Sequence, residues 1–330
     1  MSTKNLQGKS VLVTRPVPES ALDRFAAAGL TVTANWRPRG LTTERLRNLI
    51  GRHDAVVCQL ADKIDESVLS AGRPRCRVVA QCAVGFDNID VAAAYRLGIA
   101  VTNTPDVLTE ATADLTWALL LATARRLGES ERTLRAGAWR GPGMLDFLGT
   151  DVHGKTLGLI GAGRIATAVA RRAAGFNMPV LYWAREPKKA MEAVGGRRAS
   201  LPELLAQSDF VSLHVALNEG TRRLLDAAAI GRMKRGAYLI NTARGAVIDE
   251  VALIEAIRSG RLAGAGLDVY ETEPNLRREF LDLPAVVLLP HIGSATVETR
   301  SRMAALAADN VLAVLRGDPP ITPIPMPGGA

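Results

Sequence analysis

The stretch Thr156-Leu-Gly-Leu-Ile-Gly-Ala-Gly-Arg-Ile-Ala166 decides how the chain is read. Thr156–Ile160 has the length and apolar character of a buried strand. Glycines follow at once at 161 and 163, and then an Ala-rich run, Ile165–Ala174, with helical spacing. A glycine directly after a strand permits a tight turn. A second lets backbone approach a pyrophosphate at the helix N-terminus, where unpaired N–H groups favour an anion. A small third residue, here Ala166, lets helix and strand pack closely. Strand, Gly-x-Gly-x-x-Ala, helix and a second strand, Val180–Trp183, stand in the order that a dinucleotide site requires.

A rival glycine motif lies just upstream. Gly149-Thr-Asp-Val-His-Gly154-Lys155-Thr156 matches the triphosphate-binding P-loop as letters. That loop works only after a strand and at the start of a helix, whereas Lys155-Thr156 leads into a strand. The ATPase reading therefore fails on context.

Outward from this centre, short β-branched runs alternate with helical patterns. Candidate strands are Ser10–Thr14, Ala55–Gln59, Val78–Gln81 and Ile99–Asn103, then Thr156–Ile160, Val180–Trp183, Phe210–His214, Tyr238–Asn241, Gly266–Val269 and Val286–Leu289. Such alternation predicts parallel sheets covered by helices. A long apolar helix, from about Glu110 to Ala136, separates two βα series, so the expected fold class is α/β with two domains. A final helix is expected over Ala295–Arg316. The Pro- and Gly-rich tail Pro323–Ala330 reads as a poorly ordered end.

Composition narrows the function classes. The 330 residues are 48% hydrophobic and 22% charged, ordinary values for a globular protein. No apolar run approaches the ~18 residues of a membrane span, and Met1–Gly8 lacks the apolar core of a secretory signal. Cys58, Cys76 and Cys82 have no metal-ligand spacing and form no disulfide framework, so no metal and a cytoplasmic location are expected. The net charge is +8, but Lys and Arg are scattered among acids and aromatics are only 4%, which argues against nucleic acid and for anionic small ligands.

Three strand ends carry the residues for chemistry. Asn241-Thr-Ala-Arg244-Gly245 puts an arginine after a strand, Asp268-Val-Tyr-Glu-Thr-Glu273-Pro274 supplies carboxylates, and Pro290-His291-Ile-Gly-Ser294 supplies a histidine. His53, His153 and His214 have no evident acid–base partner and read as structural, although His214 ends a strand that could face the cofactor. Reduction of a 2-keto acid delivers hydride to carbon and a proton to oxygen. An imidazolium beside a carboxylate suits the proton, and a guanidinium binds a carboxylate bidentately and polarises a ketone. His291, Glu273 and Arg244 fit those three roles.

These motifs together, spaced 29 residues from Arg244 to Glu273 and 18 from Glu273 to His291, resemble the D-isomer-specific 2-hydroxyacid dehydrogenase family over nearly the whole chain. The runs Ala83–Asp90 and Val101–Asp114 look most like glyoxylate/hydroxypyruvate reductases and 2-ketogluconate reductases. The resemblance implies two Rossmann-like doubly wound parallel-sheet domains, with a dinucleotide domain (103–290) inserted into a substrate domain (1–102 and 291–330). It implies a substrate site of Leu60, Val84, Gly85, Arg244, His291 and Ser294, with the Val84 and Gly85 amides on the substrate carboxylate. Residue by residue it implies that the cofactor set is Thr109, Gly161, Gly163, Arg164, Ile165, Ala184, Arg185, Glu186, Val215, Ala216, Thr242, Ala243, Asp268, His291 and Gly293. It also implies a homodimer formed through the inserted domain. The run Val84–Asp90 is equally a strand-to-helix turn with Asp87-Asn88 as cap. Oxidation of 3-phosphoglycerate or phosphite is a rival within the family, and a dinucleotide-sensing scaffold is a rival outside enzymology.

The turn after Val180–Trp183 bears on the cofactor. Its first residue, Ala184, lies 23 beyond Gly161, where an NAD site places an acidic residue on the ribose 2′-hydroxyl. Ala184 offers no carboxylate, and Arg185 follows with a guanidinium suited to a 2′-phosphate, with Lys188 and Lys189 behind it. Glu186 is also placed to take a ribose hydroxyl. The expected cofactor is NADP(H) in preference to NAD(H).

Overall fold

A computed structural model describes residues 6–37 and 39–326. Its contacts divide the chain into two units: the part up to Leu108 together with that from Ser294 onward, and Thr109–Gly293 between them. Residues 103–108 thus belong with the first unit and 291–293 with the second, a few residues from the boundaries expected. Hydrogen bonds give the reason. Asn103 and Thr104 are bound to Val84 and Ala83, whereas the amides of His291, Ile292 and Gly293 are bound to Asp268.

The first unit holds five parallel strands: β1 (Ser10–Val13), β2 (Thr31–Ala34), β3 (Ala55–Cys58), β4 (Val78–Gln81) and β5 (Ala100–Thr102), in the order β2-β1-β3-β4-β5. Strands β1, β3 and β4 are buried on both faces, which is why their sequences run apolar without alternation. On one face the terminal helix Val297–Arg316 sets Ala304, Ala307, Ala308 and Val311 among Val11, Val13, Ala55, Val57, Val78 and Ala80. On the other face Leu46, Ile50, Val68, Leu69 and Ala93 cover Leu12, Val56 and Val79. The start of the expected loose tail is anchored: Ile324 is buried and its N–H donates to Val101 O, and just before it Asn310 Oδ1 accepts from Ile321 and Thr322. The last four residues of that expected tail, 327–330, lie outside the described residues.

The second unit is a seven-stranded parallel sheet: β6 (Leu157–Ile160), β7 (Val180–Trp183), β8 (Gly196–Arg198), β9 (Phe210–Leu213), β10 (Tyr238–Asn241), β11 (Gly264–Leu267) and β12 (Val286–Leu288). Its order is β12-β11-β10-β9-β6-β7-β8. Chain direction through the sheet reverses between β6 and β9, so their carboxyl ends form the crevice where open α/β sheets bind ligands. Both sheets are wound on both faces, the doubly wound α/β architecture expected.

The expected long helix is two. Thr109–Ala124 ends before Arg125-Arg126, and Leu127–Arg135 starts afresh after Arg126 adopts a left-handed φ of 52°. The first piece is apolar on nearly all sides because it lies on β10, β11 and β12, with the Trp117 indole donating to Val169 O. The second buries none of its residues, and Leu127, Leu134, Trp139, Met144, Leu145 and Leu148 are all exposed along this helix and the loop after it. On β11, Gly266 admits the first helix closely: a Cβ there would stand 2.8 Å from Thr123 Oγ1, 3.1 Å from Ile240 and 3.2 Å from Leu119. Gly266→Val is expected to destabilise the protein by about 1–3 kcal/mol through overpacking, read as a lower urea midpoint with unchanged binding-site chemistry.

Candidate active site

The dinucleotide turn is built as its sequence requires. Gly161 has φ +104°, and a Cβ on it would run into the carbonyl of His214 at the end of β9. Two strand ends therefore close up at the crevice, and only glycine fits between them. Gly163 is the N-cap of helix Arg164–Ala173, and no side chain caps that helix. A Cβ on Gly163 would meet nothing within 4 Å, so its side is open. Uncapped amides at an open helix start fit a pyrophosphate. Ala166 is fully buried against the sheet, Ile165 is half-buried, and Arg164 begins the helix on the outside. Val215 packs beside Gly161, whereas Ala216 is exposed and its carbonyl accepts from Thr221 Oγ1. Ala184 is half-buried, and Arg185 and Glu186 are exposed at the end of β7.

At the other end of the crevice, three loops bring acid, base and cation together. β11 ends at Leu267, so Asp268 is the first residue past the strand, and it is buried. Its carbonyl accepts the His291 N–H at 2.9 Å, and its carboxylate accepts the N–H groups of Ile292 at 2.7 Å and Gly293 at 2.8 Å. Three successive amides of the loop after β12 are thus fixed by one residue. His291 occupies the left-handed region at φ 54°, a conformation of order 1–3 kcal/mol uphill for a residue with a Cβ. Those bonds hold it there. Burial pushes the Asp268 carboxyl up, against the amides and the His291 charge, and leaves it above its ordinary value.

His291 Nδ1 lies 2.7 Å from Glu273 Oε2, and Glu273 Oε1 accepts the Tyr270 N–H at 3.0 Å. Both carboxylate oxygens are therefore committed, which fixes the imidazole plane. Burial pulls the Glu273 carboxyl upward, but the hydrogen bond and charge of His291, the Tyr270 amide and the Arg244 charge outweigh it, so it lies below its ordinary 4.5. Arg244 stands on the turn after β10. Asn241 shapes that turn, accepting from Ala243 N–H and donating to Arg244 O, both at 2.9 Å, while one guanidinium N–H of Arg244 rests on Ala243 O. Gly245 then passes so close to the Tyr270–Glu271 backbone that any Cβ would overlap it. That contact is what brings the Arg244 turn against the Glu273 loop. Thr242 is hydrogen-bonded at 3.0 Å to Thr116, and Thr109 begins the same helix as Thr116.

Some supports were not foreseen. Buried Glu250 accepts the Glu271 N–H at 2.7 Å and pairs with Arg277, tying the Glu273 loop to helix Glu250–Arg258. In sequence it reads as an ordinary acidic residue in a helix first turn. Tyr270 donates its hydroxyl to Leu289 O, joining the Glu273 and His291 loops. The other histidines each have a hydrogen-bond partner outside the Arg244, Glu273 and His291 loops. His53 bridges Leu49 O and Thr33, His153 meets Asn177, and burial pulls the His214 imidazole down to about 3, so it is a neutral partner for Ser212.

Leu60, Val84, Gly85 and Ser294 belong to the first unit. There the loop after β4 has its carbonyls drawn back: Ala83 O accepts from Thr104 N, Val84 O from Asn103 Nδ2 and Gly85 O from Gln81 Nε2. Within the described residues the Val84 and Gly85 N–H groups make no hydrogen bond. Paired carbonyls with unpaired amides form an anion-receptive turn. Leu60 follows β3 half-buried, and Ser294 lies at the start of the returning chain.

Because the Glu273 carboxyl is depressed, the ion pair adds stability above the ordinary glutamate value and loses it as pH falls through the lower native one. An NMR titration is expected to place the Glu273 midpoint below 4.5. In His291→Gln the midpoint is expected to rise, since burial then acts against fewer opposing groups.

Residues 117–293 match the model of the D-isomer specific 2-hydroxyacid dehydrogenase NAD binding domain. A glyoxylate reductase of Thermococcus kodakarensis is 47% identical over 94% of this chain and 95% of its own. Among solved structures, a protein of Thermus thermophilus is 46% identical with a TM-score of 0.90, over 96% of this chain and all of that one. An NADPH-dependent glyoxylate/hydroxypyruvate reductase of Sinorhizobium meliloti, solved with NADP and malonate, is 34% identical with a TM-score of 0.84, over 96% and 97% of the two chains. The chain with the Gly161–Gly163 turn and the Arg244, Glu273 and His291 loops belongs to the D-isomer-specific 2-hydroxyacid dehydrogenase family of NAD(P)-dependent oxidoreductases.

Proposed function

We propose that the protein reduces glyoxylate or hydroxypyruvate to the 2-hydroxy acid with NADPH, and that His291 donates the proton. The observation that carries this is the 2.7 Å bond from His291 Nδ1 to Glu273 Oε2, in the unit that carries the dinucleotide turn. With Nδ1–H donated to the carboxylate, Nε2 is the atom left to hand a proton to the ketone oxygen. Glu273 stabilises the imidazolium and keeps its orientation. Arg244 binds the keto acid through its guanidinium and draws electron density from the carbonyl. The Val84 and Gly85 amides take the substrate carboxylate. When bound, the reduced nicotinamide supplies the hydride. Asp268, Thr242, Thr109 and Gly293 line its side, and Asp268 does so while keeping His291 in place.

The substrate class is supported by the names of the relatives, one a glyoxylate reductase and one an NADPH-dependent glyoxylate/hydroxypyruvate reductase. NADP(H) is supported by Ala184 and Arg185 at the ribose position. A homodimer is supported by the apolar residues exposed after Ala124, among them Leu134, Trp139, Met144 at 92% and Leu145 at 82%.

The test is a panel of glyoxylate, hydroxypyruvate and 2-ketogluconate, each with NADPH and NADH, followed by loss of nicotinamide absorbance. Highest kcat/KM on 2-ketogluconate, or faster turnover with NADH, would overturn the corresponding part of the reading. His291→Gln is expected to lower kcat by at least ~10² with dinucleotide affinity near normal. Arg244→Lys keeps the charge and loses the fork, so KM for the keto acid should rise strongly; a change in cofactor affinity alone would contradict its role. For the assembly, Leu145→Glu together with Trp139→Glu is expected to shift the protein from dimer to monomer in light scattering after size exclusion.

A further inference from the structure

The carboxyl end of β7 carries a cation that the turn itself does not supply. Arg198 is the last residue of β8, and its guanidinium folds over the end of the neighbouring strand. Nη2 donates to Arg185 O at 2.7 Å and to Ala184 O at 3.1 Å, and Nε lies 3.4 Å from Ala184 O. Nη1 has no hydrogen-bond partner among the described residues, and no carboxylate there lies within ion-pair distance of Arg198. The adjacent Arg197 is different, since Glu203 pairs with it at 2.9 Å and offsets its charge. Arg198 also lines a concavity of about 380 Å³ with Trp183, Ala184, Ala199, Ser200 and Glu203.

We propose that Arg198 is the second arm of a clamp for the 2′-phosphate of the adenosine ribose, and that it sets the preference for a 2′-phosphorylated dinucleotide together with Arg185. The inference rests on the NADP(H) reading above. A phosphomonoester carries about −1.5 to −2 charges near neutral pH, so one guanidinium leaves roughly half of it uncompensated. Arg198 supplies the other half. It also covers two carbonyl oxygens, those of Ala184 and Arg185, whose partial negative charge would otherwise face the phosphate. Its backbone bonds fix the fork before any ligand arrives, so little side-chain freedom is left to lose on binding. Arg185, exposed and with no ion pair among the described residues, closes from the other side. A ribose with a free 2′-hydroxyl gains nothing from the second charge.

The test is binding of adenosine 2′,5′-bisphosphate and of 5′-AMP to the intact protein by calorimetry, which needs no turnover. The wild type is expected to bind the bisphosphate at least about tenfold more tightly. Arg198→Gln retains an amide donor for the two carbonyls and removes the charge; Arg198→Ala removes both. In each the Kd for the bisphosphate is expected to rise about tenfold or more, with 5′-AMP changed less than about twofold and a shallower salt dependence for the bisphosphate. Equal weakening of both nucleotides would mean that Arg198 only shapes the turn, and would overturn the proposal. Discrimination that survives Arg198→Gln but disappears in Arg185→Ala would overturn it while leaving the NADP(H) reading intact. A wild type that does not discriminate would sink both.

Discussion

One buried carboxylate organises the reactive end of the second unit. Asp268 spends both of its side-chain oxygens on the amides of Ile292 and Gly293 and its carbonyl on that of His291. A buried carboxylate left without donors would be strongly unfavourable, so the loop after β12 must present its amides there. The left-handed turn at His291 follows from this demand, and with it the direction of the imidazole. Glu273 then needs only a short reach from the neighbouring loop. The geometry of an acid–base pair is thus fixed one layer beneath it, by a residue that makes no bond to either ring nitrogen.

The same logic of backbone proximity recurs at glycines 161 and 245. At the first, two strand ends close on each other; at the second, the Arg244 turn meets the loop of Glu273 with no room for a side chain. In both places a functional group is positioned by an approach of main chain to main chain, which no side-chain rotamer can relax. Around the second contact, Glu250, Glu271, Arg223 and Arg277 form an ionic girdle that secures the loop from outside.

Much of this was legible from the residues. Central strands such as Val78–Gln81 and Tyr238–Asn241 are apolar on both faces and flanked by helical spacing, so composition alone marks them. The reactive residues were visible because each lies within a few residues of the carboxyl end of a strand, Arg244 and His291 three beyond and Glu273 six beyond. Strands β2 and β8 were missed, and both are sheet edges. β2 is a four-residue segment with no fully buried position, and β8 reads Gly-Arg-Arg. Edge strands need only one neighbour and little apolar surface, so pattern gives them away poorly. The break at Arg126 was hidden for the opposite reason: its flanks keep helical spacing through a reversal carried by one residue's φ. Arg198 went unnoticed because it sits on a missed strand, and a carboxylate such as Glu250 cannot be told from a surface charge without its partners.

The terminal helix Val297–Arg316 has a consequence for how the molecule is made. Beside Ala21 and Phe25, it covers the β3, β4 and β5 part of one face of a sheet whose strands were completed by Thr102, close to 200 residues earlier in the chain. During synthesis the part of that face around Val57, Val78 and Ala80 lacks this helix while the entire second unit emerges. The inserted unit depends on no later segment for its own core, so it is free to become compact first. Order of assembly therefore runs against order of synthesis: the half that leaves the ribosome first is the last to be closed. Until then its apolar sheet face is the part of the molecule most in need of protection from other chains.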